Sequence, residues 1–247
     1  MTEPADSVCP SNGGIPMDNQ TGQPTESIGP IVAVCLLLTI VLSGCAAAAL
    51  NRFKQHAERG DYQWIANQAI ACTHGSAACS QLHLIKGEAC LHLAESGQTP
   101  AAHYRCDADE LAAGLDLSRS RPDTAVQQRF QEYLCESLSN LQAHQADETA
   151  SKYVEAAQAL YQLAPASVPA VYYLSHARLR QVLPELPDLA VYDRLPVCHR
   201  LKRTLVTVLT TMEAAKRAGS EDWQRFAGRY ERLAFDLGAA IGTAQCR

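Results

Sequence analysis

Apolar residues recur along most of this chain at intervals of three and four, the spacing that places them on one face of a helix. Val126, Phe130, Tyr133, Leu134, Leu138 and Leu141 form one series, and Leu201, Leu205, Val208, Met212 and Ala215 form another. The clearest is Trp223, Phe226, Ala227, Tyr230, Leu233, Ala234 and Leu237. Ser220 precedes it as an N-cap, with Glu221 and Asp222 in the first turn, where acidic groups favour the helix dipole. No run alternates apolar and polar residues as a half-buried strand does. Breaks fall at 73–76, 96–99, 121–122, 164–169, 184–196 and Gly219. The pattern predicts helices near 47–58, 61–72, 77–95, 100–118, 123–144, 148–163, 168–183, 194–218 and 221–241. The expected fold is all-α. Short connections make successive helices antiparallel, and both a bundle and a stack of helix pairs satisfy the pattern.

One stretch departs from amphipathic spacing. Residues 1–30 are polar and rich in Pro, Gly, Ser, Thr and Asn, the composition of a disordered leader. From Ile31 the chain turns apolar and runs into Leu42-Ser43-Gly44-Cys45. This sequence resembles the lipobox of bacterial lipoproteins: a branched apolar residue, two small residues, then cysteine. The resemblance implies cleavage before Cys45, diacylation of its thiol, and a membrane anchor on the periplasmic face of the cell envelope. Ala46 rather than Asp follows the cysteine, which in the enterobacterial pattern implies the outer rather than the inner membrane. The division expected is a leader at 1–30, an apolar signal segment at 31–45 and a helical domain at 46–247. A second reading stays open. Ile31 to Leu50 is long enough to span a bilayer. Arg52, Lys54 and Arg59 follow it and no basic residue precedes it, an arrangement that would put the domain in the cytoplasm.

Charge narrows the function. The formal net charge is −5, but residues 1–44 hold four acids and no Lys or Arg, so the remainder carries 21 basic against 22 acidic residues. A near-neutral body has no general attraction for nucleic acid. Arg178, Arg180, Arg200, Lys202 and Arg203 could still form a local basic patch, with a merely solvated face as the alternative.

The segment YVEAAQALYQLAPASVPAVYYLSHARLR, Tyr153 to Arg180, is similar to the join between two tetratricopeptide repeats. Pro165 matches the proline that ends a second helix, and Leu174-Ser175 the leucine-small pair of the next first helix. GDYQWIANQAIA and LHLIKGEACLHLA share the flavour, with Gly87 as the small packing residue. Leu160 stands where the family has a small alanine, and the intervals drift from its period. The resemblance implies a tetratricopeptide-like α-solenoid and a role in binding an envelope protein or peptide. Tyr153, Tyr161, Tyr172, Tyr173 and Tyr192 cluster at the join; they would be core, or, if exposed, the lining of a peptide groove.

Ten cysteines are many for a helical chain of this size, and no C-x-x-C occurs. An oxidising compartment accounts for them. In an antiparallel hairpin, residues equidistant from the loop face each other. Cys72 and Cys79 straddle one predicted loop, Cys90 and Cys106 another, and Cys198 and Cys246 are roughly symmetric about Gly219. Cys79 and Cys90 lie about 16 Å apart along one helix, too far to bond to each other. Cys135 is left over as a buried thiol. The alternative for Cys72, His74, Cys79 and His83 is a metal site, although their spacing matches no standard finger.

No catalytic signature is present: no nucleophile elbow, no zinc-protease helix and no phosphate loop. The sequence calls for no cofactor, metal or catalytic residue. An all-helical hydrolase remains as an alternative, with Glu88, Glu110 or Glu136 as an acid of raised pKa, and His92 is expected to be a half-buried packing residue.

Overall fold

The structure is a computed structural model that describes residues 46–71, 77–97, 99–118, 123–144, 146–190 and 192–246. Nine α-helices occur among the described residues: α1 (46–58), α2 (Tyr62–Ala66), α3 (Ala77–Glu95), α4 (Pro100–Ser118), α5 (Thr124–His144), α6 (Ala146–Leu163), α7 (Val168–Val182), α8 (Arg194–Ala218) and α9 (Glu221–Thr243). The fold is all-α, with no strand among the described residues.

The caps follow the sequence. Ser167 accepts a hydrogen bond from the Ala170 amide at the head of α7, and Ser220 does the same for Trp223 in α9. Gly219 closes α8 with φ +62°, a left-handed conformation that glycine adopts without strain. The predicted helix over 61–72 is shorter than expected, because α2 stops at Ala66. The reason lies in two isoleucines. Ile65 is fully buried and Ile70 packs on the same small core. Five residues on one helix would point them about 140° apart, so the chain unwinds to bury both. Gln68 then donates its side-chain amide to the Trp64 carbonyl.

Each helix from α2 to α9 packs on the next. In addition α3 reaches α5, α5 reaches α7 and α7 reaches α9. No comparable packing joins α4 to α6 or α6 to α8 among the described residues. The odd-numbered helices therefore make a continuous row, and the even-numbered ones are spread along its other side.

The tightest contact is between α3 and α4, and it is reciprocal. A β-carbon on Gly87 would stand 2.6 Å from Leu111 Cδ2, and one on Gly114 would stand 2.8 Å from Leu84 Cδ2. Each helix thus offers a glycine to the other's leucine. Ser80 on α3 reinforces the pair by donating to the Gly114 carbonyl. A large core runs from Leu84 to Ala244, and a smaller one joins Ala49 and Phe53 of α1 to Ile65, Leu82 and Ala89.

Candidate functional site

The spread of the even-numbered helices opens a groove of about 800 Å³ between α4 and α6. Its floor is the flank of α5, with Leu134, Leu138 and Leu141. The walls are lined near that floor by small residues, Ala108 and Ala112 on α4 and Ala156 and Ala159 on α6. Arg105, Asp109 and Asp116 line the α4 wall, and Lys152 and Glu155 the α6 wall. Gln131 crosses the floor and donates to the Ala156 carbonyl, tying α6 to α5. The lined stretches of α4 and α6 run about 16 to 21 Å at a helical rise of 1.5 Å per residue.

The face of the odd-numbered row is chemically different. Arg129 of α5 pairs with Glu88 of α3 at 2.5 Å. Glu132 of α5 pairs with Arg225 of α9 at 2.9 Å, and one turn on, Glu136 is held by both guanidinium nitrogens of Arg229. Tyr173 of α7 also donates to Glu136, and Asn140 does so at 3.3 Å. Burial would raise the Glu136 carboxyl, but these donors outweigh it and hold the group below the ordinary carboxylate range. Beneath them, the Tyr153 hydroxyl is hydrogen-bonded to His176 Nδ1 at 2.9 Å and Tyr172 stacks on the same imidazole. Burial and then Arg180 push His176 down to about 4.

None of the three acids considered for hydrolytic chemistry stands alone in a cleft. Glu88 pairs with Arg129 and Glu136 with Arg229, while Glu110 is bound by His83 at 2.6 Å and by Lys86 at 2.7 Å. Burial raises Glu110, but His83 and Lys86 bring it below its usual value. None of the three lines the groove.

Asp107 on α4 is an acid that the sequence gave no reason to single out. It is 0% exposed and accepts from Ser137 of α5 through one oxygen, while the other has no partner among the described residues. Burial drives its carboxyl well above the ordinary value, Ser137 opposes this, and Glu88, Glu95 and Glu136 add to it. Asp107 is packed beside Gly87, outside the groove.

The cysteine geometry is largely resolved. Cys90 of α3 is joined to Cys106 of α4 with their Cα atoms 5.9 Å apart, and Cys198 of α8 to Cys246 at 5.4 Å. Cys79 is disulfide-bonded and buried; Cys72, its expected partner, lies outside the described residues, as do His74 and Cys45, the expected site of lipidation. Cys135 is a buried free thiol. The metal alternative loses Cys79, whose sulfur is committed to a disulfide.

Two expectations about single residues change. His92 is exposed rather than half-buried, and stacks on the Tyr62 ring at 4.4 Å. The tyrosines of the proposed join do not line a groove together. Tyr153 and Tyr173 are buried and Tyr172 packs on the core, whereas Tyr192 is 83% exposed and away from it. The groove is instead aliphatic. Small alanines on α4 and α6 are its only sequence signal, and they look the same as alanines packed between helices.

The chain matches no family model, no curated protein and no solved structure. Among the described residues no helix is long and apolar enough to cross a membrane.

Proposed function

We infer that this chain is a binding or assembly module of the bacterial cell envelope, held to the membrane by lipid at Cys45, which grips a helical segment of a partner protein between α4 and α6. The groove carries this reading. An aliphatic floor between two parallel walls, three to four turns long and edged by charges of both signs, suits an amphipathic helix laid lengthwise. The contact of each odd-numbered helix with the next is what a tetratricopeptide-like stack requires, and it supports that resemblance. The disulfides support an oxidising compartment over a cytoplasmic scaffold. Ion pairing of Glu88, Glu110 and Glu136 weighs against the hydrolase, which needs an acid poised to give up a proton.

Two measurements test the reading. Intact mass of membrane-extracted protein is expected to show a chain starting at Cys45 with added acyl mass; an unmodified chain retaining 1–44 would refute the anchor. A photo-crosslinking side chain at Ala112 or Ala159 is expected to capture one envelope protein in intact cells. Ala159→Trp, which fills the groove, should abolish capture from position 112. Capture that persists in that variant would place binding elsewhere.

A further inference from the structure

The two disulfides with both halves among the described residues stand in opposite surroundings. At Cys90–Cys106 the nearest charges cancel. Lys86, four residues before Cys90, is bound to Glu110 at 2.7 Å, and Glu110 is itself four residues after Cys106. Cys90 is 0% exposed.

Cys198–Cys246, at the other end of the chain, is flanked by cations. Arg194 and Lys202 lie four residues before and four after Cys198 on α8, which makes both its neighbours on the helix surface. Arg194 also reaches the other half of the bond, because its Nη1 donates to the Gln245 side chain at 2.9 Å, beside Cys246. Arg194, Gln245 and Cys246 line an open hollow of about 720 Å³ together with Ile241 and Gly242. Cys198 is buried and Cys246 is partly exposed. A thiol entering the hollow therefore meets Cys246 before Cys198. The backbone adds a third feature. Gln245 has φ +54°, a left-handed conformation that a residue with a side chain adopts at a cost. The Cys246 amide, which donates to the Ile241 carbonyl at 3.2 Å, and the disulfide itself hold the chain there. Opening the bond lets this chain end relax.

We propose that Cys198–Cys246 is a thiol–disulfide exchange site, entered at Cys246, for a dithiol oxidoreductase. The attacking thiolate forms a bond to Cys246 Sγ, the Cys198–Cys246 bond breaks, and its electron pair leaves on Cys198 Sγ as a thiolate. Arg194 and Lys202 favour that thiolate, and a more stable thiolate leaves faster. The second thiol of the oxidoreductase then attacks the mixed disulfide and releases Cys246. The dithiol is oxidised by two electrons to a disulfide, the protein disulfide is reduced by two, and the two thiol protons pass to Cys198 and Cys246. In reverse, the same steps close the bond. Closed, it clasps the end of α9 to the start of α8; open, it frees that end. The envelope reading enters only in requiring an exchange partner in the same compartment.

The test incubates the native full chain with reduced glutathione, quenches samples at intervals with iodoacetamide, and maps Cys90, Cys106, Cys198 and Cys246 by mass spectrometry. Expected is glutathione on Cys246 and alkyl label on Cys198, at least about tenfold sooner than either modification at Cys90 or Cys106. Arg194→Gln should slow this opening about threefold, and Arg194→Lys, which keeps the charge, should restore it. Opening of Cys90–Cys106 should be the same in both variants. Equal rates at the two bonds, the outcome of general unfolding, overturn the proposal. Glutathione on Cys198 overturns it, and so does an Arg194→Gln rate equal to the parent's. Loss of partner capture in the α4–α6 groove with Cys246 still opening first would remove the assembly reading and leave this one standing.

Discussion

Along the odd-numbered row, Arg129, Arg225 and Arg229 bridge α3, α5 and α9 through Glu88, Glu132 and Glu136, whereas along the even-numbered row α4 and α6 flank a groove floored by α5. The same helix, α5, contributes to both. Its acids at 132 and 136 face one way and its leucines at 134, 138 and 141 the other, because two- and four-residue steps separate opposite faces from shared ones. One side of the row is saturated by its own charges. The other carries no ion pair across its groove among the described side chains; its walls on α4 and α6 bear small alanines near a floor of Leu134, Leu138 and Leu141 that is itself largely buried.

The strongest way to disturb both rows is covalent, since one disulfide joins α3 to α4 and another joins α8 to the end beyond α9. Cys198→Ala with Cys246→Ala opens a 48-residue loop and should cost about 4 kcal/mol; Cys90→Ala with Cys106→Ala opens a 16-residue loop and should cost about 3 kcal/mol. Urea unfolding of both pairs checks the order. Equal or inverted losses would show that loop length does not govern them.

A smaller effect separates the rows. Arg229→Ala leaves the mostly buried Glu136 with Tyr173 and Asn140 alone, and should cost about 2 kcal/mol after allowance for the exposure of Arg229. Glu136→Gln on that background should recover part of the loss. A double-mutant cycle measures the coupling, and additivity would mean that the ladder does not hold the odd row.

The smallest contrast is one of pH. Glu136 has a carboxyl held below its ordinary value, so its contribution is present above that value and is lost as pH falls through the folded pKa. Asp107 has the opposite sign. It stays protonated in the fold but ionises in the unfolded chain above about pH 4, so stability falls as pH rises from there until the buried group itself ionises. The slope for one such group is at most about 1.4 kcal/mol per pH unit. Asp107→Asn should remove the decline that begins above about pH 4 and leave the Glu136 contribution at lower pH unchanged. Chemical denaturation at a series of pH values reads this directly, and an unchanged slope above about pH 4 would show that Asp107 is not its source.

Most of the helices were legible in the sequence because they rest on local signals. Ser220, Ser167 and Gly219 act within a turn of themselves, and the three- and four-residue spacing of Phe226, Tyr230, Leu233 and Leu237 needs no partner to be recognised. The cysteine hairpins followed from symmetry about short loops. The length of α2 did not, because it depends on where α3 offers a surface for Ile70. Nor did the ion pairs of α5 and α9, whose members Glu136 and Arg229 are 93 residues apart. The groove was hidden for a related reason. Nothing in Ala112 or Ala159 says whether the space beside it is filled by a neighbour or left empty.

The bond from Cys198 to Cys246 has a mechanical meaning. Pulled between residue 46 and Cys246, the chain transmits load into α8 at Cys198 and across the sulfurs, so α9 lies off the line of force. The 48 residues between them cannot lengthen, which withholds about 160 Å of contour, and the 16 between Cys90 and Cys106 withhold about 50 Å more. Under that load α9 would hang slack as a closed loop while the strain ran through the helices before it.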